Sequence, residues 1–148
     1  MYEAADATSE IIRKNPDTTG ARFAANAALD LLAMARERLD NRDYVEAFRG
    51  SKDAIRMASS ALLLNDGYVA STFEATLRCI EERHSGQLPI DEWQYLENML
   101  TGEGPGLLNL IVRLAGKNMK TGKHEASQAI AIAERFVASV MAIIELRS

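Results

Sequence analysis

The chain has 148 residues, 47% of them hydrophobic and 26% charged, and its formal net charge is −4. This length suits one domain with a single buried core, so residues 1–148 are expected to fold as one unit. The acidic balance excludes a generally basic surface for nucleic acid or for an anionic membrane, and leaves only a local patch for such binding.

The pattern along the chain predicts an all-α protein. Prolines number only three, and stretches with strand-like alternation between turns are missing from the sequence. The opening segment, Tyr2 to Lys14, is predicted to be a helix that stops before Asn15-Pro16, because the residue preceding proline avoids helical angles. Its apolar stripe is weak, so residues 1–15 form an N-terminal helical arm or a segment that contacts a partner.

Two long helices are predicted next, Thr19 to Leu39 and Tyr44 to Asn65, and Asn65-Asp66-Gly67 ends the second. Apolar or small side chains recur at helical spacing along one face of each helix. The short turn between them predicts an antiparallel hairpin whose helices approach closely. The two stripes are Ala24, Ala28, Leu31, Ala35 and Leu39, and Ala47, Ser51, Ala54, Ala58, Ala61 and Leu62.

Three further helices are predicted after the hairpin. A third long helix is predicted from Ser71 to Gly86, opened by a capping box between Ser71 and Glu74. A short helix runs from Asp91 to just before Gly102, and a compact apolar helix runs from Leu107 to Gly116.

The last predicted helix follows a polar loop, Lys117 to Lys123, and reaches nearly to Ser148. Its apolar run, Ala129 to Leu146, is interrupted by charges and is short for a membrane span, so we interpret it as a buried helix. Two apolar stripes cover most of its circumference, which places it at the centre of the fold or places one stripe against another subunit. The stripes are Ile130, Ala133, Val137, Val140 and Ile144, and Ile132, Phe136 and Ile143.

The cysteine content and the first residues both favour a cytoplasmic protein. Cys79 is the only cysteine, which excludes an intrachain disulfide and a cysteine-rich metal site and fits a reducing compartment. We expect its thiol to be a small buried hydrophobe rather than a nucleophile. The first residues have neither the basic region nor the apolar core of a signal peptide.

The segment RCIEERH contains the first candidate site, formed by Arg78 and His84. An imidazole can move a proton and a guanidinium can stabilise a phosphorane, so the pair fits a ribonuclease. Six helical steps turn the two side chains about 120° apart, so a joint site requires the helix to unwind. The alternative is structural, because Phe73, Leu77, Ile80 and His84 form one apolar stripe whose solvated end is His84.

The segment GKNMKTGKHE contains the second candidate site, a basic cluster ahead of the last helix. Lys117, Lys120, Lys123 and His124 could hold the phosphate of a nucleotide or of RNA at the helix N-terminus. The segment lacks the glycine spacing of a phosphate-binding loop, so a solvated loop is the alternative. Neither histidine has a second one at helical spacing, and no dinucleotide motif is present in the sequence, so no metal or cofactor is expected.

Two stretches resemble the HEPN family of helical, nucleotide-associated domains. YVEAFRGSKDAIRMASSALLLNDG, Tyr44 to Gly67, is similar to the family's second helix, and ASQAIAIAERFVASVMAII, Ala126 to Ile144, is similar to its closing helix. The likeness extends over about Ala21 to Leu146 and rests mainly on core positions. It implies an up-and-down helical bundle over residues 19–147, with four to five long helices, a short helix and the N-terminal segment.

The resemblance also implies partners and an activity. Members are commonly dimeric, often accompany a small nucleotidyltransferase-like protein, and in some cases are ribonucleases with an Arg-x(4–6)-His motif near the C-terminal helices. In this chain, ten residues stand between Arg113 and His124 in that region, whereas Arg78 and His84 have the spacing but lie a helix earlier.

Three hypotheses follow from the sequence. The first is a homodimeric HEPN-like binding module that engages a nucleotidyltransferase-like protein, a nucleotide or RNA. The second is a toxin-like, metal-independent endoribonuclease that uses Arg78 and His84, and the third is a purely structural oligomerisation bundle.

Overall fold

The computed structural model describes residues 11–84, 86–89, 91–92 and 122–147. This part of the chain is mostly helical, as predicted, and it also contains a small two-stranded sheet that the sequence analysis did not predict. The predicted helix Leu107 to Gly116 lies outside the described residues, as does the helix from Asp91 apart from Asp91 and Glu92, which are helical.

The described elements are, in chain order, β1 (Ile11–Arg13), α1 (Thr18–Asp40), α2 (Tyr44–Asp66), β2 (Tyr68–Ala70), α3 (Phe73–His84) and α4 (Lys123–Arg147).

Helices α1 and α2 form the predicted hairpin, and their ends are fixed by local hydrogen bonds. The Asp17 carboxylate accepts from the Gly20 amide at 2.8 Å, which caps the start of α1. The Asp43 carboxylate accepts from the Glu46 amide at 3.4 Å at the start of α2.

The two helices run antiparallel and lie close together. Near the turn, a Cβ added to Gly50 would lie 3.2 Å from the Ala35 Cβ. At the other end of the hairpin, the Asp17 amide donates to the Leu64 carbonyl at 2.9 Å. Small side chains therefore allow the close approach that the sequence predicted.

Helix α4 packs against both α1 and α2. Both of its predicted stripes are buried within the chain, since Ile130, Ala133, Val137, Val140 and Ile144 are buried and so are Ile132, Phe136 and Ile143. Contact with another subunit is therefore not needed to cover either stripe. At its edge, Glu134 forms an ion pair with Arg36 of α1.

The segment Lys123–Glu145 is long and apolar enough to cross a membrane by length and composition alone. Half of its most apolar window is buried inside the chain, and core helices of soluble proteins satisfy the same criterion. Packing in the core accounts for its apolar character.

The prediction of a helix through Lys14 is wrong at its end, because Ile11–Arg13 is a strand. It pairs antiparallel with β2, with Ile11 opposite Ala70 and Arg13 opposite Tyr68. The β-branched pair Ile11-Ile12 favours an extended chain, and the partner strand decides the outcome. Residues 1–10 of the predicted arm lie outside the described residues.

The start of α3 differs from the prediction by one position. Thr72, and not Ser71, caps the helix, since its hydroxyl accepts from the Ala75 amide at 3.1 Å. Its carbonyl also accepts from the Thr76 amide at 3.1 Å, so the first turn of α3 closes on Thr72.

Candidate functional site

A buried cluster of ionisable side chains lies where the C-terminal ends of α2 and α3 meet. Asp66 is the last residue of α2 and His84 is the last residue of α3. The side chains of both are only 1% exposed. A buried carboxylate requires polar partners, because burying its charge without them costs about several kcal/mol.

Both ring nitrogens of His84 have partners. Nε2 lies 2.6 Å from Oδ2 of Asp66, and Nδ1 lies 3.0 Å from Oε1 of Gln87. Gln87 is held nearby because its backbone amide donates to the His84 carbonyl at 3.0 Å, just past the end of α3. A ring that is buried and hydrogen-bonded at both nitrogens has no nitrogen directed at solvent or at a substrate.

Arg83 completes the cluster from the solvent side. Its Nε donates to Oδ2 of Asp66 at 3.3 Å, and its Nη1 donates to the Tyr68 hydroxyl at 3.1 Å. The guanidinium also lies 4.7 Å from the centroid of the Tyr68 ring, in range of a cation–π contact. These bonds join the end of α2, strand β2 and the end of α3, which is the arrangement of a structural clasp.

Cys79 is buried one turn before Arg83, as expected from the sequence. Burial raises the pKa of its thiol, and the charges of Asp66 and Glu82 raise the pKa further, while Arg83 opposes them. A thiol with a raised pKa carries little thiolate at neutral pH, so Cys79 is not an activated nucleophile.

The structure does not bring Arg78 and His84 onto one face. Helix α3 is unbroken from Phe73 to His84, so the unwinding that a joint site requires has not occurred. Arg78 is exposed, whereas His84 is buried. His84 continues the apolar stripe of α3, but the solvated end that the sequence predicted for that stripe is wrong, because the ring is covered and bonded at both nitrogens.

The second candidate site is described only at its C-terminal end. Lys117 and Lys120 lie outside the described residues, and Lys123 and His124 are exposed in the first turn of α4. The Gly122 amide donates to Oε1 of Glu125 at 3.1 Å. A carboxylate of the chain itself therefore lies at this helix N-terminus, where it satisfies a donor and opposes the approach of a phosphate.

A second feature is one side of α1, which we call the outer face and define as Phe23, Ala27, Asp30 and Met34. Phe23 and Met34 are exposed, and half-buried Ala27 and charged Asp30 lie between them. These positions are four, seven and eleven residues apart and therefore lie on one side of the helix. Phe23 is 79% exposed and Met34 is 50% exposed, on the side opposite the alanines that pack into the core. Large exposed apolar side chains aligned on one helix face are typical of a contact surface.

Asp66, Gln87 and the outer face were not predicted from the sequence. Asp66 was placed in the C-cap of α2, which is correct, but its pairing with His84 joins residues that are distant in the sequence. The outer face was detectable from the sequence, because Phe23 and Met34 share a side of α1 that excludes the alanine stripe.

Comparisons with known proteins find no relatives: no family model matches the chain, and neither a curated protein nor a solved structure matches it. The likeness to HEPN domains therefore stays a prediction. Among the described residues, no group of three His, Cys, Asp or Glu side chains is placed to hold a metal ion.

Proposed function

We propose that this chain is a HEPN-like, up-and-down helical bundle that acts as a homodimeric binding module. The observation that carries the proposal is the state of His84, the residue on which the competing ribonuclease mechanism depends. Its side chain is 1% exposed and bonded at both nitrogens, so it serves as a clasp between α2 and α3. General acid–base catalysis requires a group within hydrogen-bond reach of the substrate, which this burial opposes.

The outer face supports the binding half of the proposal. Phe23 and Met34 expose more apolar surface than folding of the described chain requires, and the core is already covered by α2 and α4. Exposed aromatic and methionine side chains are enriched where proteins contact one another.

The proposal extends to a partner and a ligand through the resemblance to HEPN domains. A nucleotidyltransferase-like protein is the proposed protein partner, and a nucleotide or RNA is the proposed ligand. If a nucleotidyltransferase-like reading frame neighbours this one, the two products should copurify after coexpression. Copurification would also separate this proposal from a purely structural oligomerisation bundle.

An RNA cleavage assay in EDTA tests the proposal. We would incubate total RNA with the parent chain, with His84→Gln and with Arg78→Ala, after confirming by circular dichroism that each is folded. Arg78 is exposed, so its substitution should leave the fold intact and provides a control that does not depend on the clasp.

The binding module predicts no discrete cleavage products from any of the three proteins. Cleavage by the parent that is lost in both folded variants would instead establish the endoribonuclease that uses Arg78 and His84. Cleavage retained in both variants would remove these two residues from the mechanism and would also contradict the proposed function.

A further inference from the structure

A groove of about 330 Å³ lies on the surface between the start of α1 and the end of α4. The two helices run antiparallel, since Arg36 near the end of α1 pairs with Glu134 near the middle of α4. Each helix therefore supplies one wall of the groove. The lining residues are Arg22, Ala25 and Asn26 of α1 and Met141, Ile144 and Glu145 of α4.

The floor of the groove is apolar and fixed in shape. Ala25 is 1% exposed and Ile144 is 2% exposed, and both belong to the hydrophobic core. Half-buried Met141 packs against the same core and forms the apolar part of one wall. A concave site whose floor consists of packed core residues needs no reorganisation to receive an apolar group.

The polar rim carries opposite charges on its two walls. Because the helices are antiparallel, Arg22 near the start of α1 lies level with Glu145 near the end of α4. Asn26 follows Arg22 by one helical turn and borders the same groove. Neither the Arg22 guanidinium nor the Asn26 carboxamide makes a hydrogen bond or an ion pair with another described residue, so the donors of both remain available to a ligand.

We propose that this groove binds a free α-amino acid with an apolar side chain. The Arg22 guanidinium donates two parallel hydrogen bonds to the carboxylate of the ligand, which is the geometry that a planar guanidinium favours. The Asn26 amide donates to the same carboxylate, and Glu145 accepts from the ammonium group. The apolar side chain of the ligand lies on the floor of the groove.

The size and the charges of the groove select this class of ligand. Its volume is at the small end of the range for ligand pockets, about 300–1,000 Å³, which suits one amino acid better than a nucleotide. A phosphate would bring two negative charges close to Glu145, whereas an amino acid places its ammonium group there. The site is separate from the proposed homodimeric function, because it requires neither a second copy of the chain nor RNA.

An NMR titration of the isotope-labelled chain with L-leucine tests the site. The backbone amide shifts of Arg22, Asn26 and Glu145 should saturate, with a dissociation constant on the order of 1 mM for so small a ligand in an open groove. Three analogues each lack one group: glycine lacks the apolar side chain, L-leucine amide the carboxylate, and isocaproate the ammonium group. Each should bind about ten-fold more weakly or worse.

Three variants assign the contacts. Arg22→Gln should weaken L-leucine binding about ten-fold or more, because a neutral amide cannot form the paired charged bonds. Glu145→Gln should weaken the binding several-fold, because the ammonium group loses its counter-charge. Arg38→Gln is the matched control, since Arg38 is exposed on the same helix about 24 Å from Arg22, and it should leave the binding unchanged. All three positions are exposed, so circular dichroism should show the parent fold.

The outcomes either support the site or overturn it. Saturable L-leucine binding that weakens in Arg22→Gln and not in Arg38→Gln would support it. Shifts that never saturate, or binding that Arg22→Gln leaves unchanged, would overturn it. Equal binding of L-leucine amide or of isocaproate would overturn the assignment to an amino acid, and so would AMP if it shifted these amides in preference to L-leucine. Dimerisation and RNA cleavage are measured separately, so failure of this site is distinguishable from failure of the proposed function.

Discussion

Replacing Gly67 by alanine should destabilise the protein through two effects that the structure allows us to separate. Gly67 has φ of 87°, in the left-handed region where a residue with a Cβ costs about 1–2 kcal/mol relative to its preferred conformation. An added Cβ would also lie 2.6 Å from the Lys14 carbonyl oxygen and 3.2 Å from Pro16, which is too close.

Relief of that clash should weaken the attachment of the N-terminal segment. The Lys14 amide donates to the Gly67 carbonyl at 2.7 Å, and the Asp17 amide donates to the Leu64 carbonyl at 2.9 Å. Each such bond contributes about 1 kcal/mol net, so the clash adds about 1–2 kcal/mol to the conformational cost. We expect Gly67→Ala to lower the free energy of unfolding by about 2–4 kcal/mol.

Gly86→Ala is the matched control. Gly86 has φ of 84°, almost the same as that of Gly67, but an added Cβ would meet nothing within 4 Å. This variant should lose only the conformational term, about 1–2 kcal/mol. Urea denaturation followed by circular dichroism measures both losses. Equal losses in the two variants would refute the conclusion that Gly67 holds the Lys14–Pro16 segment against the hairpin.

Three further predictions concern other positions. Arg42 has φ of 63° at the end of α1, and its amide donates to the Leu39 carbonyl, so Arg42→Gly should raise the free energy of unfolding by about 1 kcal/mol; a loss of stability would contradict the left-handed conformation. Asp66→Asn weakens charge-assisted bonds to His84 and Arg83 and should cost about 1.5–3 kcal/mol in urea denaturation. Asp53→Asn, at an exposed position of α2, should cost almost nothing, and equal costs would argue against the clasp. The raised pKa of Cys79 lowers its thiolate fraction at any given pH, so iodoacetamide should label the folded protein slowly at neutral pH and faster as the pH rises; labelling as fast as that of the urea-unfolded chain would contradict its burial.

The sequence alone predicted the elements whose determinants are local. The hairpin helices begin within a residue of their predicted starts, because α1 and α2 follow the capping residues Asp17 and Asp43. Gly67 ends α2 in the left-handed conformation that only glycine adopts readily. The apolar periodicity of α4 likewise predicted a long helix that is buried on more than one side.

The sequence singled out His84 and left two interpretations open, a catalytic pair with Arg78 and the end of an apolar stripe. The spacing of Phe73, Leu77 and Ile80 placed His84 on the apolar face of α3, but as its solvated end and not as a buried side chain. Its partners were not predicted, because Asp66 precedes it by 18 residues and is brought to it by the path of the chain through β2. A local pattern can place a side chain on a helix face, but it cannot place the residue that faces it.

Tertiary structure decided the features that depend on contacts between distant segments. Ile11–Arg13 becomes a strand because Tyr68–Ala70 offers it a hydrogen-bonding edge, and a propensity summed over neighbours does not contain that edge. The clasp of Asp66, His84 and Arg83 has the same origin. The helices were determined by the sequence because their hydrogen bonds and caps join residues three to five positions apart. The strand and the clasp were determined by packing, because each requires surfaces that meet only when the chain has folded.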